Sequence, residues 1–326
     1  MSNTDPESTV PAEERVVGGA GVGPAGADGG QGRAVVLMAY GSPDRLADVP
    51  AYYADIRGGR PIAAEHLDDL VARYRAIGIE GSNPLNEITE RTRAALGGEL
   101  GLPVFTGMRH WRPRIAEAVE QALAGGARTI VGLVLAPHYS TLSVEKYRHQ
   151  LEAAVHGRAE LRFVERWGME EGFLELVSHR VRDAIADGTH VVFTAHSLPA
   201  SILDEGDPYP DELMATASAI AERLVLRKWS LAYQSQSPTG VPWLGPDILD
   251  HLEDLQAVGV ADVLVCPVGF VADHLEIRWD IDTEAVRRAA ELGLRLRRIE
   301  MPNDDPAFVR TLACIVRREA ALPAPV

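Results

Sequence analysis

The chain of 326 residues contains only two cysteines, Cys266 and Cys314, far apart in sequence. A disulfide framework is therefore excluded, and two free thiols suit a reducing cytoplasm. Cys266 falls inside an apolar strand pattern and Cys314 inside an apolar helix pattern, so both are expected to be buried. Long hydrophobic runs are absent as well. No stretch of about 18 apolar residues occurs, which excludes a transmembrane helix. The first residues lack the basic-then-apolar layout of a secretory signal. Positive charge is scarce: 32 Lys and Arg stand against 47 Asp and Glu, a formal net charge of −15. That balance argues against nucleic acid or an anionic membrane surface as partner. Large apolar residues are nearly missing from 1–32, a stretch rich in Gly, Ala, Pro and Glu. It cannot bury enough surface to offset its ordering entropy, so residues 1–33 are expected to form a disordered tail.

The rest of the chain is built for a core. Hydrophobic residues make up 46% of it, and the length suffices for two ordinary domains. Apolar runs predict strands at 34–40, 104–108, 129–136 and 161–167. Helical spacing predicts helices at 63–77, 84–98, 111–124 and 144–155. The alternation then repeats: helix 172–186, strand 190–195, helix 210–226, strand 230–234, helix 246–258, strand 262–268, helix 273–292, strand 294–299. Alternating strands and helices imply parallel sheets with right-handed crossovers. The expected fold class is α/β, two Rossmann-like domains with four-stranded parallel sheets facing a central cleft. The first would span 34–168 and the second 169–303. An amphipathic helix within 304–326 would pack back on the first. No residue-level repeat relates the halves.

In open α/β sheets, ligands sit beyond the carboxyl ends of the strands. His196 closes one strand, in VVFTAHSLP (191–199). After strand 262–268 comes a series of acids, Asp273, Glu276, Asp280 and Glu284, the last three four apart and so on one helix face. A line of acids repels itself and needs a cation, a proton or solvent. A strand-end His is commonly a hydrogen-bonded core residue, and acids at this spacing are commonly a solvated face. A βα-junction His with a companion acid favours chemistry instead, because imidazole and carboxylate can each take a proton or hold a divalent metal. Tyr40 ends the first strand. His110 and His138, also at strand ends, read as structural, and Arg109 and His110 as cleft-lining. His149, His156, His179 and His251 read as helix-surface residues.

Eight segments, in order, carry a family resemblance: MAYGSP (38–43), YYADIRGGRP (52–61), RYRAIG (73–78), LAPHYSTLSVEKY (135–147), TAHSLP (194–199), GDPYP (206–210), WLGPD (243–247) and PVGFVADHLEIRWDID (267–282). The chain resembles the ferrochelatases, which insert ferrous iron into a porphyrin. It resembles in particular the coproporphyrin III ferrochelatases of Gram-positive bacteria and actinobacteria, because of Tyr40 in its AYGSP setting. The resemblance implies that His196 and Glu276 are catalytic and handle metal on one face of the macrocycle. Tyr40 would approach the metal from the other face. Which of His196 and Glu276 takes a proton and which holds iron stays open. Asp280 and Glu284 would form an accessory acid line, a path for protons or hydrated metal on which Mg²⁺ or Ca²⁺ could sit. Substrate contacts would come from Tyr40, Arg57, Arg73, Tyr74, Ser82 and Tyr147. The pattern departs at Gly58, where a second basic residue is usual, and in the longer loop 78–85, where Ser82 or Asn83 could take the serine's role.

The implied substrates are coproporphyrin III and Fe²⁺, with no organic cofactor. A [2Fe–2S] cluster needs four cysteine ligands, and two are present. The implied product is coproheme, made in the cytoplasm and passed on through transient contact with the next haem-pathway enzyme. Alternatives are a protoporphyrin IX ferrochelatase, a chelatase for another tetrapyrrole, and a non-catalytic porphyrin or haem carrier with the same fold.

Overall fold

The computed structural model describes residues 32–80, 83–237 and 240–322. The expected tail lies outside these residues except for Gly32 and Arg33, and Arg33 already opens the first strand. In chain order the elements are β1 (Arg33–Ala39), α1 (Val49–Ile56), α2 (Ala64–Ala76), α3 (Pro84–Leu100), β2 (Val104–Met108), α4 (Ile115–Ala124), β3 (Thr129–Val134), α5 (Val144–Val155), β4 (Glu160–Val164) and α6 (Glu171–Ala184). There follow β5 (His190–His196), α7 (Tyr209–Leu224), β6 (Trp229–Gln234), α8 (Ile248–Ala257), β7 (Asp262–Cys266), a π-helical segment (Glu276–Ala285) running into α9 (Val286–Glu291), β8 (Arg295–Arg298) and α10 (Pro306–Glu319). Two four-stranded sheets result, ordered β2-β1-β3-β4 and β6-β5-β7-β8, and every pairing is parallel. The inner strands are near-continuous apolar runs because both of their faces are covered.

The outer face of the first sheet packs Val36, Met38 and Ile130 against α4 and α5. The outer face of the second packs Val192, Val263 and Val265 against α8, α9 and the π-helical segment. The inner faces share one continuous core. Val35, Leu37 and Leu133 from the first sheet join Phe193, Leu264 and Cys266 from the second through side chains of α3, α6, α7 and α10. α10 lies on α3, α6, β3 and β4. Helices α1 and α2 stand apart with a small cluster of their own, Val49, Tyr52, Tyr74 and Ile79, capped by Trp111 and Leu275. No helix among the described residues is long and apolar enough to cross a membrane.

Several expectations are corrected. The helix expected from residue 111 starts at Ile115, because Pro113 holds the chain extended there and Glu117 closes the new start by accepting from the Arg114 amide at 2.6 Å. β4 stops at Val164, and Trp167 instead ties the chain back to β3, its indole donating to the Val134 carbonyl at 3.0 Å. α1 is unforeseen. Cys314 is exposed rather than buried, since it falls on the outer side of α10 with Arg310 and Arg318, while Cys266 is buried. His251 is not a surface residue: half-buried, it shares the Ser230 hydroxyl with His190, at 2.7 and 2.9 Å.

Candidate active site

The carboxyl ends of the central strands of both sheets open on one cavity of about 320 Å³, within the usual range for small-molecule sites. Tyr40 and Tyr147 line it from the first half, and His196, His274 and Glu276 from the second.

β5 ends at His196 because Ser197 turns away and Pro199 cannot continue the ladder. The Ser197 amide still donates to the Gln234 carbonyl at 2.8 Å, and the Tyr209 hydroxyl donates to the His196 carbonyl at 3.0 Å. His196 Nδ1 faces the Ser197 carbonyl, so that nitrogen carries the proton and Nε2 points into the cavity. The loop after β7 reaches His196 through Gly269, whose amide donates to the Thr194 carbonyl at 3.0 Å. A Cβ at this glycine would stand 2.5 Å from Ala195 Cβ, so only glycine permits the approach. Gln234, held by the Thr194 hydroxyl at 2.9 Å, donates to the Glu276 carbonyl at 2.7 Å and fixes the start of the π-helical segment.

Glu276 is gripped on both oxygens. Oε1 lies 3.5 Å from His196 Nε2, and Oε2 lies 3.5 Å from His274 Nε2. His274 is oriented by its Nδ1 contact with the Ala272 carbonyl at 2.9 Å and by the Phe270 ring at 5.0 Å. Burial works against charge on every member of this group, yet the group stays ionised. For His196, burial is outweighed by the Glu276 carboxylate, and the imidazole is raised to about 9. For Glu276, burial is outweighed by the two imidazoles, which hold the carboxyl well below its usual range. His274 is raised in the same way. Among the described residues, no three His, Cys, Asp or Glu side chains form a ready-made metal cage.

The acid line continues along the π-helical segment, where i→i+5 bonding still stacks residues four apart. Burial and the charge of Glu276 push the Asp280 carboxyl up to about 7, with the Ser235 hydroxyl donating to it. Arg73 reaches across from α2 to Asp280 at 3.9 Å and Glu284 at 3.7 Å, stacked 5.5 Å over the Trp279 ring and held by Asp69 at 2.8 Å. The compensation that the acid line needs is thus an arginine and a shared proton. Asp282 and Asp273 leave the line to pair with Arg298, at 2.6 and 2.8 Å.

On the opposite wall, Gly41 turns the chain after Tyr40 with φ +85°, and the Tyr52 hydroxyl donates to its carbonyl at 2.9 Å. The Tyr40 ring packs 4.6 Å from His110, whose Nδ1 lies 2.9 Å from Asp55. Burial, only partly offset by Arg109, pushes the Tyr40 phenol up to about 12, so it keeps its proton at neutral pH. Tyr74 and Tyr147 are buried in the cavity wall. His138 is buried against the Thr216 hydroxyl at 3.0 Å, and burial lowers it to about 3.

Of the residues singled out in the sequence, the structure therefore gathers Tyr40, Tyr74, Tyr147, His196 and Glu276 around one cavity, with Arg73, Asp280 and Glu284 beside it. Arg57 does not line the cavity; its Nε donates to the Arg60 carbonyl at 3.4 Å. Ser82 lies outside the described residues, and Asn83 caps α3. Sequence reasoning overlooked His274, two residues before Glu276, and left Arg109 without a role.

Residues 32–320 match the family model described as Ferrochelatase. The chain is 45% identical over 299 residues to the ferrochelatase of Herpetosiphon aurantiacus, spanning 87% of this chain and 97% of that one. It is 40% identical over 302 residues to the coproporphyrin III ferrochelatase of Halalkalibacterium halodurans, spanning 88% and 97%. Among solved structures, SirB from Bacillus subtilis with Fe³⁺ aligns with a TM-score of 0.59 at 12% identity, over 89% of this chain and 96% of that one, a likeness of fold alone. With nearly its whole described length matched in this way, the chain belongs to the ferrochelatase family, enzymes that insert metal into a porphyrin.

Proposed function

We propose that the chain inserts Fe²⁺ into coproporphyrin III in the cytoplasm, giving coproheme and two protons. The observation that carries this reading is the pairing of a protonated Tyr40 phenol on one wall with the His196–Glu276 pair on the other wall of the same cavity. A macrocycle seated between them would meet an oxygen donor on one face and a proton acceptor on the other.

The chemistry needs two pyrrole N–H protons removed and one divalent metal accepted. His196 is the group we assign to proton removal. Near neutral pH its resting form is imidazolium, paired with Glu276, so it must first release a proton. Glu276 and then Asp280, whose carboxyl is half-protonated near pH 7, offer the next stops, and Glu284 lies beyond them. The same carboxylates draw a cation toward the His196 face. Glu276 is the carboxylate we assign to receiving iron, because the two imidazoles keep it ionised. Preorganised charge on one face of the cleft favours the transition state over the bound free-base porphyrin.

The test is anaerobic metallation with Fe²⁺, offering coproporphyrin III and protoporphyrin IX side by side and following loss of the free-base spectrum. Faster turnover of coproporphyrin is expected. A preference for protoporphyrin would discard the substrate assignment and keep the chemistry. H196A should abolish turnover while porphyrin binding persists; turnover surviving in H196A would overturn the assignment of proton removal.

A further inference from the structure

Arg109 follows β2 directly and is the only arginine or lysine among the described residues that line the cavity. Its backbone is anchored on both sides. The amide donates to the Ala39 carbonyl at 2.9 Å, and the carbonyl accepts from Arg114 Nη1 at 3.1 Å, with Arg114 itself paired to Asp55 at 2.8 Å. The guanidinium lies 5.8 Å over the Tyr40 ring and 5.4 Å over the Tyr147 ring, a stack on two aromatic faces. Neighbouring arginines all find acids: Arg112 pairs with Glu117, Arg114 with Asp55 and Arg73 with Asp69. Arg109 has no ion pair among the described residues, and its Nε is buried without a hydrogen-bond partner. In a chain with 47 acids and 32 bases, a fixed and unpaired guanidinium facing a cavity is a group prepared for an anion that arrives from outside.

Resting on the coproporphyrin reading above, we infer that Arg109 binds a peripheral carboxylate of the substrate and selects macrocycles that carry one at that corner. A guanidinium held flat presents parallel N–H donors that match a carboxylate in a fork. A vinyl group at the same corner would bury the guanidinium against hydrocarbon with nothing to accept its hydrogen bonds. The discrimination between four-carboxylate and two-carboxylate porphyrins then comes from a single buried charge, with the two tyrosines holding it in place.

The experiment measures equilibrium binding of free-base coproporphyrin III and protoporphyrin IX, by fluorescence quenching, to the full chain and to R109M and R109K. R109M keeps the stem that packs on the rings and removes the charge. Loss of a charged hydrogen-bonding partner should weaken coproporphyrin binding by about 10- to 100-fold and leave protoporphyrin binding within about threefold. R109K, which keeps the charge but not the fork, should recover part of the loss. Equal weakening of both porphyrins by R109M would overturn the inference, since it would mean that Arg109 only supports the cavity wall. If the unaltered chain itself prefers protoporphyrin IX, the substrate reading fails separately. Arg109 is then judged with protoporphyrin IX against its dimethyl ester: R109M weakening the diacid alone upholds carboxylate binding, and equal effects on both refute it.

Discussion

Replacing Glu276 with Gln tests the electrostatic heart of the site. The amide preserves the shape of the side chain and removes its charge. In the unaltered chain, burial alone would lower the His196 imidazole from its ordinary 6.5, and the Glu276 carboxylate reverses this to about 9. Without that carboxylate, burial is opposed only by the Ser197 carbonyl and by Asp280, itself left more ionised when its neighbour's charge is gone. The His196 midpoint should therefore fall by roughly two units or more, to 6.5 or lower. The assay is NMR titration of the imidazole Cε1–H resonances in metal-free protein from about pH 5 to 10, with H196A assigning the signal. Stability offers a second reading. A group held at about 9 in the folded chain and at 6.5 when unfolded adds stability that is complete below 6.5 and lost as pH rises through about 9. The melting-temperature gap between the unaltered chain and E276Q should therefore be wide at pH 6.5 and narrow toward pH 9. A His196 midpoint that stays within half a unit in E276Q, or one near 6.5 in the unaltered chain, would refute the reasoning.

Two further outcomes follow from the same geometry. Asp280, raised from 3.8 to about 7, favours the folded chain while protonated and loses that contribution as pH climbs through 7. D280N should match the unaltered chain near pH 4 and be more stable at pH 8, by as much as about 4 kcal/mol, read from urea denaturation at the two pH values; no gain at pH 8 would mean that Arg73 fully compensates the carboxylate. G269A must place a Cβ 2.5 Å from Ala195 Cβ and 2.8 Å from its Cα. Overpacking of this kind should cost about 1–3 kcal/mol and lower turnover by pushing the Glu276 loop off His196, checked by thermal melts alongside the metallation rate.

The fold was legible because strands and helices alternate with clear periods, and because the chemistry-bearing residues fall at strand ends, as His196 and Tyr40 do. What sequence could not give was partnership across the cleft. Arg73 sits on a helix remote from the acid line in sequence, and only folding brings its guanidinium within 4 Å of Asp280 and Glu284. His274 was hidden because a histidine two residues from an acid is remote on an α-helix and adjacent only in the loop geometry seen here. The π winding was invisible, since acids four apart stack under either helical pitch. Cys314 was misjudged because Ala313 and Ile315 beside it do face the core, and a helix shifts the intervening residue to the outer side.

Because α6, α7 and α10 fill the space between the two sheets with one apolar mass, the halves cannot gape like a clamshell without wetting it. Admission and release of a flat, rigid ring then fall to α1 and α2, which rest on a small cluster of their own and touch the rest of the protein through Trp111 and Leu275. Arg73 tethers this flap to the far side of the cleft. The rate at which product escapes is therefore governed by how readily one arginine lets go of two carboxylates, a step that added salt would hasten.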